Sequence, residues 1–299
     1  MAKISIKQLE ALIQVADLGS FRRAAEKLNT TQPNISTRIS GLESQLGVKL
    51  MDRDAGSVRL TPMGEVLLLK ARQVSEALDE FIILAGNTSL FEGVLRLGVT
   101  EMIVHSWLGS YISILKGRFP NIDVELTVDL SANLSSALFN RTIDLALQSG
   151  PFSRSASGSV ELGSFPLIWV AAPKLGAGNK VLSLADLAAR PILTHARGTL
   201  PFEQLKDHVA AASDHPVRLV PSSNMAACIQ MTVEGLGIAC LPEVMVRDQI
   251  TTGRLEQLRY LWCPDDLRFR ARFDDTAPYF VTEAARIAGE VSQGNIAVE

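Results

Sequence analysis

In the N-terminal part of the chain, apolar side chains recur every three or four positions in three short runs separated by polar or glycine-containing breaks. Leu9, Leu12, Ile13 and Ala16 predict one amphipathic helix, Phe21, Ala24, Ala25 and Leu28 a second, and Ile35, Ile39, Leu42 and Leu46 a third. Ser20 is placed to cap the second helix, whose two alanines let the next helix cross closely. Asn29-Thr30 supplies a tight turn and Thr31 an N-cap. Pro33 suits a first helical turn, where its missing N–H costs nothing. This is the layout of a helix-turn-helix. Downstream, Gly47–Arg53 and Ser57–Leu60 predict two short strands around a turn at Asp54-Ala55-Gly56, forming a wing.

The third helix turns Pro33, Ser36, Thr37 and Ser40 away from its apolar stripe, with Gln32 at its tip. These groups are short, polar and free of carboxylates, so the face can enter a major groove and bond base edges. Arg38 lies toward the edge of the stripe, better placed for a phosphate or a flanking base. On the wing, Lys49, Arg53 and Arg59 are available to phosphates. Double-stranded DNA is the expected partner. Thr61 then caps, and Pro62 opens, a long helix in which Leu67, Ala71, Val74, Leu78, Phe81 and Ala85 keep the heptad spacing of a coiled coil. At 1.5 Å per residue it reaches roughly 40 Å, and its seam calls for a second copy of the chain. Two paired heads reading two half-sites gain affinity through effective concentration.

From Phe91 onward the period changes. Strands are expected at 94–99, 122–128, 144–147, 165–171, 192–194, 217–220 and 238–241. Helices are expected through Trp107 to Phe119 and at 134–140, 183–189, 201–212 and 225–234. Such alternation predicts α/β lobes built on mostly parallel sheets.

Composition narrows the classes. The 299 residues are 47% hydrophobic and 20% charged, which fits a folded globular protein of more than one domain rather than a disordered one. No apolar run approaches the roughly 20 residues that span a bilayer, and the N-terminus leads into an amphipathic helix instead of a signal-peptide core. A cytoplasmic location without a membrane partner is expected. Residues 1–62 hold nine Lys and Arg against six Asp and Glu, a net +3. The whole chain carries −3, so the remainder carries −6. A basic head on an acidic body suits DNA binding. Cys228, Cys240 and Cys263 form no CxxC pair, and His105, His195, His208 and His215 have no metal-ligand spacing, so neither metal nor cofactor is expected. Gly235-Leu236-Gly237 precedes a strand and is a helix stop, not a phosphate cradle. No GxSxG, HExxH or paired-carboxylate spacing points to an enzyme.

Leu18-Gly-Ser-Phe21, Ala24-Ala25, Thr31-Gln-Pro33, Ser36, Leu42-Glu43, Leu46-Gly-Val48, Arg53 and Leu60-Thr61 through Gly64 together resemble the LysR-type transcriptional regulators. A looser match continues through Leu97-Gly-Val99, Phe119-Pro120, Asp144-Leu-Ala146 and Glu234-Gly-Leu-Gly-Ile238. The family commonly carries Arg where this chain has Thr37 and Gln where it has Arg38. That exchange bears on operator preference and leaves Gln32, Pro33 and Ser36 as the firmer groove residues. The resemblance implies a winged helix-turn-helix at 1–61, a dimerising linker helix at 62–90, and a two-lobed, periplasmic-binding-protein-like effector domain at 91–299. Lobe I would comprise 91–163 and 267–299, and lobe II 164–266. It also implies a homodimer through the linker helix, assembled further into a tetramer.

A small-molecule effector is expected between the lobes, at strand C-terminal ends and helix N-termini. Those places hold Thr100, Glu101, Ser131, Asn133, Gln148, His195, Arg197, Thr199, Ser222 and Ser223. Arg197 can clamp a carboxylate. Glu101 would repel one unless neutralised or unless it takes an N–H from the ligand, so a small organic acid with a ring or a second polar group is expected. Trp107, Phe152 and Phe202 are candidate apolar contacts. Two alternatives use the same two-lobed fold. A solute-binding protein would need a signal peptide and no winged head. An enzyme would need catalytic groups in the cleft, where only Glu101 and His195 are candidates.

Overall fold

The computed structural model of the chain describes residues 4–54, 57–176, 178, 181–212 and 217–296. They form two compact units. One comprises Met1–Val94, Arg118–Asp123 and Thr276–Phe280, the other Leu95–Gly117, Val124–Asp275 and Val281–Glu299.

The first unit begins with α1 (Ile6–Leu18), α2 (Phe21–Lys27) and α3 (Gln32–Leu46). Leu12, Ala24, Ile35, Ile39 and Leu42 are almost fully buried where the three meet, as their spacing predicts, and Val15, outside the expected stripe, is buried with them. Ser20 Oγ accepts the Arg23 N–H at 3.3 Å, capping α2. Thr31 stands at the N-cap of α3 but makes no side-chain capping bond. Its neighbour Thr30 instead accepts from the Asn34 side-chain amide at 3.1 Å. Gly47 ends α3 at φ 70°, a left-handed conformation that glycine adopts without strain.

The wing is the antiparallel pair β1 (Met51–Asp54) and β2 (Ser57–Leu60), with Met51 opposite Leu60. Its first strand starts four residues later than expected. Gly47 is occupied as a helix cap, and the Glu43 carboxylate accepts from the Leu50 and Met51 N–H groups at 2.8 and 3.2 Å. Ala55 and Gly56 of the expected turn lie outside the described residues, as does His215.

Thr61 caps α4 (Pro62–Leu84) by accepting the Gly64 N–H at 2.9 Å. The start of α4 packs on the head, with Ala71 buried and Leu67 and Leu68 beside it. Arg72 Nη2 reaches Asp17 Oδ1 at 2.5 Å. Further along, Val74, Phe81 and Leu84 are 45%, 70% and 88% exposed. Phe91, Phe119 and Tyr279 close this unit as an aromatic cluster with centroids 5.6–6.4 Å apart.

The rest of the chain carries two five-stranded sheets. The first holds β3 (Gly93–Val99), β4 (Ile122–Val128), β5 (Leu145–Ser149) and β6 (Gly158–Phe165), joined by α5 (Glu101–Val104), α6 (Leu108–Arg118) and α7 (Ser131–Phe139). The second holds β7 (Leu167–Ala171), β8 (Ile192–Thr194), β9 (Leu219–Pro221), β10 (Ile238–Pro242) and β11 (Glu256–Gln257). It is connected through α8 (Leu184–Ala188), α9 (Leu200–Ala212), α10 (Met225–Val233) and α11 (Glu243–Thr251). The chain then returns to the first sheet as β12 (Leu267–Phe273) and ends in α12 (Tyr279–Ile296).

The strand orders are β4-β3-β5-β12-β6 and β11-β7-β10-β8-β9. Both sheets are mixed, not mostly parallel. The pairs β3–β5, β10–β8 and β8–β9 are parallel, whereas β12 runs antiparallel to β5 and β6, and β7 antiparallel to β10 and β11. The single helix expected through Trp107 is two, because the chain turns after His105 and Ser106 Oγ donates back to the Met102 carbonyl at 2.7 Å. Strands β6, β11 and β12 and helices α11 and α12 add to the expected set. No helix among the described residues is long and apolar enough to cross a membrane.

Candidate DNA-reading face and effector cleft

On α3, Gln32 and Pro33 are exposed and Ser36 and Arg38 half-buried. Thr37 is exposed, but its hydroxyl donates to the Pro33 carbonyl at 2.9 Å, so a base would have to compete for that donor. Arg38 lies near α1, where it and Lys7 offset the burial that raises the Glu10 carboxyl. On the wing Arg59 is exposed on β2. Arg53 pairs with Val58 in the ladder, and its side chain lies outside the described residues.

Within the second unit the two sheets flank a cavity of about 1010 Å³. Nine of the ten expected positions line it: Thr100, Glu101, Ser131, Asn133, His195, Arg197, Thr199, Ser222 and Ser223. Gln148 does not. Strand β5 continues to Ser149, so Gln148 sits inside the sheet, fully buried, with its amide 3.2 Å from Ser135 Oγ. Ser149 takes the strand-end place on the cavity wall, and its N–H donates to Ser131 Oγ at 3.1 Å.

The three expected aromatics also lie off the wall. Trp107 is buried against Tyr111, Phe152 lies under the Arg272 guanidinium at 4.2 Å, and Phe202 is buried with the exposed Arg197 guanidinium 5.3 Å from its ring. Apolar lining comes instead from Met102, Val128, Phe139 and Phe269. Arg154 joins the wall with its guanidinium 3.9 Å over Phe139. It sits in a loop whose spacing carries no periodic signal, so sequence reasoning missed it. Arg272 holds that loop from below, donating to the Arg154 carbonyl and to Ser135 Oγ.

Two cavity groups have unusual surroundings. Glu101 follows β3 of the first sheet, yet its carboxylate accepts the Met225 N–H at 2.7 Å and the Ala226 N–H at 2.8 Å, at the start of α10 between strands of the second. Asn224 Oδ1 completes that helix cap by accepting the Ala227 N–H at 2.6 Å. His195 is 8% exposed, and neither of its ring nitrogens has a partner among the described residues. Burial holds its pKa down at about 4, so the ring is neutral at pH 7 and offers one donor and one acceptor. On the buried face of α10, burial and the nearby Glu101 charge push the Cys228 thiol up to about 12, well away from reactive thiolate character.

A winged head with a polar reading helix, followed by two α/β lobes around a polar cavity, defines a DNA-binding regulator with a ligand-sensing body. Residues 6–65 match the pattern of the bacterial regulatory helix-turn-helix protein, lysR family, and residues 88–270 that of the LysR substrate binding domain. The chain belongs to the LysR family of transcriptional regulators. A probable hydrogen peroxide-inducible genes activator of Streptomyces viridosporus is 29% identical over 257 residues, covering 84% of this chain and 82% of that protein. The HTH-type transcriptional regulator PtxR of Pseudomonas aeruginosa is 29% identical over 268 residues, covering 87% and 83%. In fold, the chain is similar to a full-length OxyR variant from Pseudomonas aeruginosa, with a TM-score of 0.61 at 21% identity over 98% of this chain and 96% of that one. These relatives are regulators rather than enzymes, and the chain has their DNA-binding and effector-binding parts.

Proposed function

We propose that this regulator works in the cytoplasm as a homo-oligomer, and that a small organic acid in the cleft alters how its paired heads sit on promoter DNA. The division is a DNA-binding head at 1–61, a dimerising helix at 62–90 and an effector domain at 91–299. Gln32, Pro33 and Ser36 read the groove, with Thr37 and Arg38 tuning the preference and Arg53 and Arg59 holding phosphates. The exposed apolar stripe of Met63, Val66, Val74, Phe81 and Leu84 on α4 supports pairing through that helix, since water-exposed side chains of this size favour a covering partner. Tetramer formation rests on the family alone.

The observation that carries the effector reading is the cavity itself, lined by Arg197 and several hydroxyls, with the buried, neutral His195 in its wall and without a ring partner among the described residues. Arg197 meets the acid's carboxylate, and His195 bonds its second polar group. A thermal-shift screen of small carboxylates and aromatic acids on the full chain tests this. A hit that is lost in Arg197→Ala supports the clamp, and an unchanged hit removes it. For the head, footprinting of the operator with Gln32→Ala and Ser36→Ala should show weakened or relaxed binding. Unchanged footprints in both would overturn the groove assignment.

A further inference from the structure

Glu101 occupies a place that a ligand would otherwise suit. Two successive N–H groups at the open end of a nine-residue helix, α10, converge on one carboxylate, which is how helix N-termini hold free anions. Here the anion belongs to the chain and comes from the opposite lobe, 124 residues earlier in sequence. The two bonds, at 2.7 and 2.8 Å, therefore tie the lobes together across the cavity. His105 Nε2 lies 3.7 Å from the same carboxylate, one turn along the helical segment that Glu101 opens.

A second, independent observation marks this wall as a ligand site. His195 lines the same cavity, is more than nine-tenths buried, and has both ring nitrogens unmatched among the described residues. Thr100 Oγ1, next to Glu101, is likewise buried without a partner. Each such atom has given up its bonds to water and gained none in return, in the wall of the cavity that an effector would fill.

We propose that Glu101 is a built-in competitor for the effector: one acidic group of the effector takes over the Met225 and Ala226 N–H groups, the groups met by Arg197 and His195 lie elsewhere on the same molecule, and the displaced Glu101 releases the tie between the lobes. This rests on the reading of the cleft as the effector site and adds the event by which occupancy becomes a conformational signal. The two carboxylates cannot share one pair of donors, because their charges repel at contact distance. Binding and release of Glu101 are then a single exchange, and the ligand's differential affinity for the released state drives the change. The effector class is correspondingly narrow: an anion no larger than the vacated carboxylate at one end and a hydrogen-bonding group at the other.

Hydrogen exchange on the full chain tests the proposal without knowledge of the natural effector. The segment containing Met225 and Ala226 is followed in the unsubstituted protein, Glu101→Ala and Glu101→Gln, with and without acetate as the probe. In Glu101→Ala the two amides should exchange at least about tenfold faster, and millimolar acetate should restore protection and raise Tm. The unsubstituted protein, its site already filled, should show neither effect. Glu101→Gln, which keeps the shape but loses the charge, should show intermediate protection and confirms that an altered result does not come from misfolding. Unchanged exchange in Glu101→Ala would overturn the tie. Faster exchange that acetate does not reverse would reduce Glu101 to an ordinary helix cap. Acetate rescue does not involve Arg197, so failure of the Arg197 clamp and failure of this proposal give different results.

Discussion

His195 should make the effector domain lose stability as the pH falls, by an amount the structure sets. Its pKa is about 4 in the folded protein because burial disfavours the imidazolium, against about 6.5 in an unfolded chain. Above pH 6.5 the ring is neutral in both states and contributes no pH dependence. Between 6.5 and 4 the unfolded state takes up a proton that the folded state refuses, so stability falls across that window. Going from pH 7.5 to pH 5, the loss from this one ring is about 2 kcal/mol, approaching ~3 kcal/mol below pH 4.

Urea unfolding followed by tryptophan fluorescence measures it directly, since Trp107, Trp169 and Trp262 all belong to the unit that contains His195. His195→Leu should flatten the dependence by that amount. At pH 7.5 it should be neutral or slightly stabilising, because it removes two buried nitrogens without partners. The same substitution should weaken effector binding. Equal pH dependence in both proteins would refute the burial argument.

Phe81 is 70% exposed on α4. If a second copy covers it, Phe81→Ala should remove roughly 3 kcal/mol from an interface that contains it twice, about a hundredfold in dimer Kd by sedimentation. An unchanged Kd would place the partner elsewhere. Gly64 has no room for a methyl group, since a Cβ there would stand 2.0 Å from the Leu50 carbonyl oxygen. Gly64→Ala should therefore push α4 away from the backbone just before β1, costing the head about 2 kcal/mol or more. Gly117→Ala, with nothing within 4 Å, should be nearly silent. Circular-dichroism melting and operator binding would register the difference, and equal effects would contradict the close approach.

The cleft explains why a regulator can keep such costly features. A neutral histidine without partners and a carboxylate on another lobe's helix both lower the stability or freedom of the empty domain. On the proposed function, each supplies a contact that a bound ligand completes or exchanges. The DNA-binding head has a different character: Gln32 and Pro33 stand exposed on a helix whose opposite stripe is fully buried at Ile35, Ile39 and Leu42. Its specificity is presented on a rigid support, whereas the body's response depends on contacts that can be exchanged.

Sequence by itself determined whatever follows from spacing within one element. The three-helix core, the Ser20 and Thr61 caps and the strands at Val94–Val99 and Ile192–Thr194 all follow from period and cap chemistry, which are local. Even the unexpected strand at Leu267–Phe273 carries a local signal, arginines at 268, 270 and 272 alternating with apolar residues. What only tertiary structure decided depends on neighbours distant in sequence. The return of β12 between β5 and β6 makes the first sheet mixed, and one further residue of β5 exchanges Gln148 for Ser149 on the cavity wall. Cys240 and Cys263, 23 residues apart, come to lie with their sulfurs 3.3 Å from each other. Glu101 reads as an awkward charge in the sequence. Its partners are backbone N–H groups, which every residue but proline carries, so no side-chain pattern could have announced them. Only the packing of one lobe against the other fixed which two it would find.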